Sequence, residues 1–374
     1  MRTIRRRPPG DDVLGLPEVT DEQDGRLSRS HIVLLGLFFA GLAIMVLGSV
    51  INLPYAVMSP GPTVNTLGTL QGEKKPLITV DGLPTYPAEG HLNFTTVSVA
   101  GGPGFPVDVW RVVGAWIDPN EDVFPVDEIF DPSASEQQLA EENAVQMEGS
   151  QEEATAVALR ALGHKVPTHI VIASILQSSE AKDILKKGDR LVRVGGVAAT
   201  STDAVREGLQ TVKPGEAVAV EVTRNGQKLQ LVAPTIAGTQ GRTALGILLS
   251  LDHDFPAKVT ISAGDVGGPS AGLMFALGIY DKLTPGSMTG NHDIAGTGTI
   301  DDAGAVGPIG GIKQKLVGAR EDGADYFLAP ADNCREVVGH VPDGLEVFKV
   351  ASFAEARAAV EGIASGHTSG LPRC

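Results

Sequence analysis

The sequence predicts an α+β chain with one membrane-crossing helix near its N-terminus, and three observations predict it. Residues 32–51 read IVLLGLFFAGLAIMVLGSVI, with Ser49 the only polar side chain. Short alternating runs punctuated by glycine and proline recur through residues 77–113 and 169–236, the pattern of antiparallel strands. Residues 135–162 and 270–280 carry helical composition and spacing instead.

The apolar run comes first. Twenty residues at 1.5 Å each span about 30 Å, the hydrocarbon thickness of a bilayer. A cleaved signal peptide has an apolar region of about 7–15 residues followed by a small-x-small site. Here the run is longer and residues 1–31 precede it, so residues 32–52 read as an uncleaved anchor. Arg2, Arg5, Arg6, Arg7, Arg26 and Arg29 lie before the span, and the first basic residues after it are Lys74 and Lys75. That asymmetry predicts a cytoplasmic tail over 1–31 and extracytoplasmic domains beyond the anchor. The tail's acidic residues balance its arginines, so the formal charge of −15 belongs to the outer part.

Composition narrows the classes. The chain's 374 residues leave room for two or three folded units, and 42% hydrophobic against 20% charged residues supports a packed core. Strong acidity excludes an electrostatic nucleic-acid binder. Two cysteines, Cys334 and Cys374, exclude a disulfide-rich scaffold and a four-cysteine zinc site. They could pair in an oxidising compartment, but Cys374 is the last residue and is expected to fray, leaving Cys334 as a small buried hydrophobe. No metal or cofactor site is read.

After the anchor, residues 54–62 (PYAVMSPGP) read as a rigid Pro/Gly link. Strands are expected at 77–80, 92–99 and 107–113, then the helix at 135–162. A compact β-rich unit follows over 161–237, with strands at 169–175 and 190–194. Between them Ser178-Ser179-Glu180-Ala181 opens a short helix and Lys187-Gly188-Asp189 makes a turn. Ser201 caps a helix over 202–210, and Asn225-Gly226 turns a closing hairpin. This order, with its L-x-x-G-D-x-L-x-x-V-x-G core, resembles a PDZ domain. The resemblance implies a groove that takes extended peptide ends as an added strand. The apolar-Gly-apolar loop that such domains place before their first strand is approximated here by Leu162-Gly163-His164-Lys165-Val166.

The chemistry concentrates in residues 263–272, AGDVGGPSAG, between a strand at 257–261 and an apolar helix from about Ser270. A serine there meets free N–H groups and the positive end of the helix dipole, which suit a nucleophile whose attack creates an oxyanion. As an isolated residue it reads as an ordinary N-cap. A phosphate cradle is the other reading, but no G-x-x-x-x-G-K-[ST] motif occurs. None of the eight histidines stands in an evident Ser/His/Asp motif. A base is offered by residues 308–316, PIGGIKQKL, where a lysine opens a helix after a Gly-Gly turn. Lys313 and Lys315 are two apart, about 200° around a helix, so only one faces a common site. A lysine working as base near neutrality must lose about three pKa units, roughly 4 kcal/mol. A lysine pressed among Ile309, Ile312 and Leu316 meets that condition, whereas composition alone reads Lys313 as a solvated face residue.

GPSAG followed by PIGGIKQKL resembles the proteolytic domain of the Lon proteases, over residues 254–333. The resemblance implies a Ser-Lys dyad, with Ser270 as nucleophile, Lys313 as general base and Thr297 as a supporting group. Where Lon has an acid three residues before the serine, this chain has Gly267, with Asp265 nearby. Residues 238–364 are thus assigned to the Lon-type domain and 365–374 to a tail. Residues 90–99 and 145–154 resemble the early strand and helix of that fold. Residues 53–160 would then be its first part and the PDZ unit an insertion. No Walker motif occurs, so cleavage without ATP is expected. As a whole the chain resembles bacterial membrane-anchored, PDZ-containing Lon-like proteases. This implies protein or peptide substrates, the cytoplasmic membrane as a partner and, by analogy with Lon rings, a homo-oligomer. The competing expectations are a PDZ-based adaptor with a silent Lon-like scaffold and, more remotely, a phosphate-binding kinase.

Overall fold

The computed structural model describes residues 29–70, 75–131, 134–238, 241–264 and 266–374. The tail arginines ahead of Arg29, Lys74 and Asp265 lie outside the described residues.

The chain divides into two units. The first is dominated by helix α1, Arg29–Val50, the one described helix long and apolar enough to cross a membrane, with a mean hydropathy of 2.5. Its side chains are exposed almost throughout, unlike those of a core helix.

The second unit contains two six-stranded sheets. Its main strands and helices, in order, are Tyr55–Asn65 (β1), Ile78–Asp81 (β2), His91–Ala100 (β3), Asp122–Pro125 (β4) and Glu136–Ala161 (α2). Thr168–Ile175 (β5), Arg190–Val194 (β6), Thr202–Leu209 (α3), Ala217–Arg224 (β7), Gln227–Pro234 (β8) and Ile247–His253 (β9) follow. Then come Lys258–Ile261 (β10), Gly272–Lys282 (α4), Asp293–Gly296 (β11), Ile312–Glu321 (α5), Tyr326–Pro330 (β12), Glu346–Val350 (β13) and Phe353–Ala364 (α6).

The larger sheet runs β13-β12-β11-β3-β1-β4, parallel from β13 to β3 and antiparallel beyond. It draws strands from both sides of the smaller, all-antiparallel sheet, whose main path is β8-β7-β6-β5-β9. The smaller unit is therefore an insertion within the larger one. Its two ends meet at one clasp. Arg160 donates to Val166 O and Thr168 Oγ1 at the entrance and, with its other nitrogen, to Asp302 Oδ1 at 2.8 Å. His253, at the exit, bonds the same Asp302 oxygen through Nε2 at 2.6 Å.

Local chemistry explains the main elements. Ser135 and Gln138 close a capping box at the start of α2. Ser201 accepts from Ala204 N to cap α3, and Asn225 and Gly226 both take positive φ in the β7–β8 turn. Helix α4 is buried on nearly every side and packs against α2 and β3, with Phe275 edge-on to Phe94 at 5.3 Å. The smaller unit closes over its own core of Ile170, Ile172, Leu191, Val194, Val220 and Val222.

Four expectations change. Residues 54–62 are not a free link: they form most of β1, whose register against β3 shifts between Pro60 and Thr63. The bulge absorbs Gly61 and Pro62, which lack either a side chain or an N–H for a regular ladder. Residues 107–113 form a strand only at Val107–Asp108; Val109–Ile117 is a helix, its buried Val112 and Ala115 three apart. Helical spacing there outweighs β-branching. The segment after Ser178 is a run of turns. Finally, Cys374 does not fray: it is disulfide-bonded to Cys334, and Phe348 bridges Arg373.

Candidate active site

Ser270 lies at the end of a glycine-rich loop, one residue before the Ala271 N-cap of α4. Gly268, at φ 83°, lets the loop turn, and its N–H donates to Asn143 O at 3.1 Å. Ser150 Oγ donates to Pro269 O at 3.0 Å, so α2 fixes the loop at two points. The Ser270 carbonyl accepts from Gly298 N at 2.8 Å and from Thr297 Oγ1 at 3.0 Å. The nucleophile's backbone is thereby held from the strand end beyond β11.

Lysine 315, not Lys313, reaches the serine. Gly311, at φ 69°, starts α5, and Ile312, Lys315, Leu316 and Ala319 form its buried face. Lys315 is 2% exposed. Its Nζ lies 2.8 Å from Ser270 Oγ, 3.0 Å from Thr297 Oγ1 and 3.2 Å from Thr95 O on β3. Burial pushes its pKa from 10.5 down to about 7. Lys313 points the other way and donates to Asp122 Oδ1 at 2.7 Å, while Gln314 takes Oδ2 at 2.6 Å. The physical reason is the 200° separation: the apolar stripe of α5 fixes which lysine is inside.

Proton counting gives this cluster a direction. Thr95 O only accepts, and the Thr297 hydroxyl spends its one proton on Ser270 O. Both must therefore receive N–H from Lys315. A neutral amine has two N–H groups and one lone pair, so after serving those oxygens its lone pair faces Ser270 Oγ–H. The arrangement is competent for taking a proton from the serine.

A cleft of about 230 Å³ opens over the pair, lined by Thr95, Thr96, Met147, Gly267, Gly268 and Ser270 among others. Among the described residues, no group of three or more His, Cys, Asp or Glu is placed to hold a metal ion. The smaller unit carries a separate groove of about 1650 Å³ between α3 and the edge strand β9. Leu245-Gly246-Ile247 leads into that strand, with Gly246 at φ 67°. Residues 162–166 do not serve as this loop, because Gly163 terminates α2, its N–H returning to Arg160 O.

Sequence reasoning missed Lys315, the Thr95 carbonyl, Asn143 and Ser150. The periodicity Ile312, Leu316, Ala319 was the available signal for Lys315. The other contacts come from strand and helix packing and had none.

Comparison with known proteins defines the class. Residues 253–359 match the Lon protease (S16) C-terminal proteolytic domain, and residues 144–234 match the PDZ domain. The chain is 36% identical over 115 residues to the Lon protease of Azospirillum brasilense. It is 31% identical over 103 residues to Lon protease 2 of Bacillus subtilis, and 29% over 163 residues to the mitochondrial Lon protease homolog of Drosophila melanogaster. These alignments cover 29%, 27% and 41% of this chain, and only 14%, 18% and 16% of the respective relatives. The PDZ domain of an SdrC-like protein from Listeria monocytogenes is 21% identical over 22% of this chain and 86% of its own, with a TM-score of 0.20.

The chain therefore carries a Lon-type proteolytic domain, the domain of a serine peptidase, together with a PDZ domain. The PDZ match begins at residue 144, inside α2, yet the buried side chains of that helix belong largely to the core around α4.

Proposed function

We propose that the protein is a membrane-anchored, ATP-independent serine endopeptidase acting on protein substrates at the outer face of the cytoplasmic membrane. The observation that carries this reading is the 2.8 Å contact between buried Lys315 Nζ and Ser270 Oγ. Among the described residues, the three partners of that amine are uncharged oxygens, and none of them holds its proton by ion pairing. Ser270 Oγ attacks the substrate carbonyl carbon as Lys315 takes its proton. Lys315 then returns the proton to the leaving amine, and water repeats the cycle to free the acyl group. Backbone N–H groups at the start of α4 are the candidates to hold the oxyanion.

The anchored topology is supported by the hydropathy of α1 and by the arginine bias before it. The Cys334–Cys374 disulfide fits an oxidising compartment for the C-terminal part. The PDZ unit selects substrates by adding an extended segment along β9, with the Leu245–Gly246–Ile247 backbone meeting its chain end. Support comes from the edge position of β9 and the groove against α3.

The test is to incubate the full chain, in nanodiscs and without ATP, with an unfolded protein, beside Ser270→Ala and Lys315→Met. Cleavage by the wild type alone is expected. Equal cleavage by any variant would remove its residue from the mechanism. Leu248→Glu, in the groove, is expected to slow protein degradation while leaving a short peptide's turnover unchanged.

A further inference from the structure

We propose that the Val109–Ile117 helix, with Phe105 before it, is an interfacial element lying in the headgroup region of the outer leaflet. This inference rests on the anchored reading above. The nine residues VWRVVGAWI bury Val112 and Ala115 and leave an apolar opposite side. Trp110, Gly114 and Ile117 are spaced i, i+4, i+7, and Trp116 flanks them. Trp116 is 66% exposed, Ile117 78% and Phe105 65%, so large apolar side chains stand exposed at both ends of this short segment.

Within the helix the one charged residue is Arg111. It turns to Glu121 and bonds both carboxylate oxygens, at 2.5 and 2.8 Å. The Trp110 ring lies over Gly48 of α1, where an added Cβ would come within 2.4 Å of Nε1, and its N–H donates to Met45 O at 2.9 Å. Met45 and Gly48 are in the last turns of the apolar span, so Trp110 sits beside the end of that span. Tryptophan favours that zone because its ring is apolar and its N–H remains served. With no basic residue on the exposed face, attachment is by apolar and aromatic insertion rather than by attraction to anionic lipid.

Trp110 and Trp116 are the only tryptophans in the chain, so intrinsic fluorescence reports on this helix alone. The full chain carrying Trp110→Phe, reconstituted in phosphatidylcholine vesicles, leaves Trp116 as the sole emitter. Its emission is expected to be blue-shifted relative to the denatured chain and to fall about twofold with brominated lipid, at low and high salt alike. Water-like, unquenched emission from protein that still floats with vesicles overturns the inference and leaves the anchor standing. A blue shift without quenching also overturns it, because a second protein surface then covers the helix. Failure to float removes the anchor and this inference together. If Trp110→Phe does not fold, the wild type serves, since loss of more than half its emission requires Trp116 as well as Trp110.

Discussion

Replacing Lys315 with Met tests the dyad through stability as well as rate. The unfolded chain keeps the Lys315 proton up to about 10.5, whereas the folded chain releases it near 7. Between those values the unfolded state binds more protons, so wild-type stability rises with pH across the interval and is lowest below it. One proton contributes about 1.36 kcal/mol per pH unit, which accumulates to about 5 kcal/mol over the interval. The difference between the chains with and without Lys315 should therefore be flat below pH 7. Above it, the lysine form should gain at about that slope until pH 10. Denaturant unfolding of both, in a Ser270→Ala background that prevents self-digestion, measures it. In the active enzyme, kcat/KM should rise with pH through about 7 and then level, as the amine loses its proton. A stability difference that stays flat from pH 6 to 9.5 would show that burial does not depress this lysine, and the proposed base would fall with it.

Lys313→Ala should leave turnover unchanged and cost at most about 1 kcal/mol, because its pair with Asp122 is partly exposed; steady-state kinetics beside Lys315→Met separates the two lysines. Thr297→Val removes both the donor to Ser270 O and the acceptor for Lys315, and should lower kcat about 100-fold with little change in KM. Thr297→Ser, which restores the hydroxyl, should recover most of the rate. Reducing the Cys334–Cys374 bridge opens a loop of 40 residues and should cost about 4 kcal/mol on the chain-entropy scale, read as a lower denaturation midpoint. Asn333, beside that bridge, bonds both the N–H and the carbonyl of Ile309, so Asn333→Ala should loosen the turn that leads into α5 and lower kcat without shifting the pH midpoint.

The apolar span of residues 32–51, the helix after Ser135, the Asn225-Gly226 hairpin and the serine loop are local features, legible in the sequence. Each depends on residues within a turn or a few turns of one another. Which lysine meets Ser270 was decided by tertiary structure. Both lysines occupy one short helix; the Ile312, Leu316 and Ala319 stripe puts Lys315 on its apolar side, and packing against β3 turns that side to the serine loop. Thr95 contributes a carbonyl, which carries no residue signature at all. Cys374 reaches Cys334 because the C-terminal segment returns along β13, a long-range contact that local composition cannot encode. The chemistry needs a lysine near a serine, and both were written in the chain. Their distance, and the burial that makes the amine a base, arise only when strands from the two ends of the sequence close into one sheet.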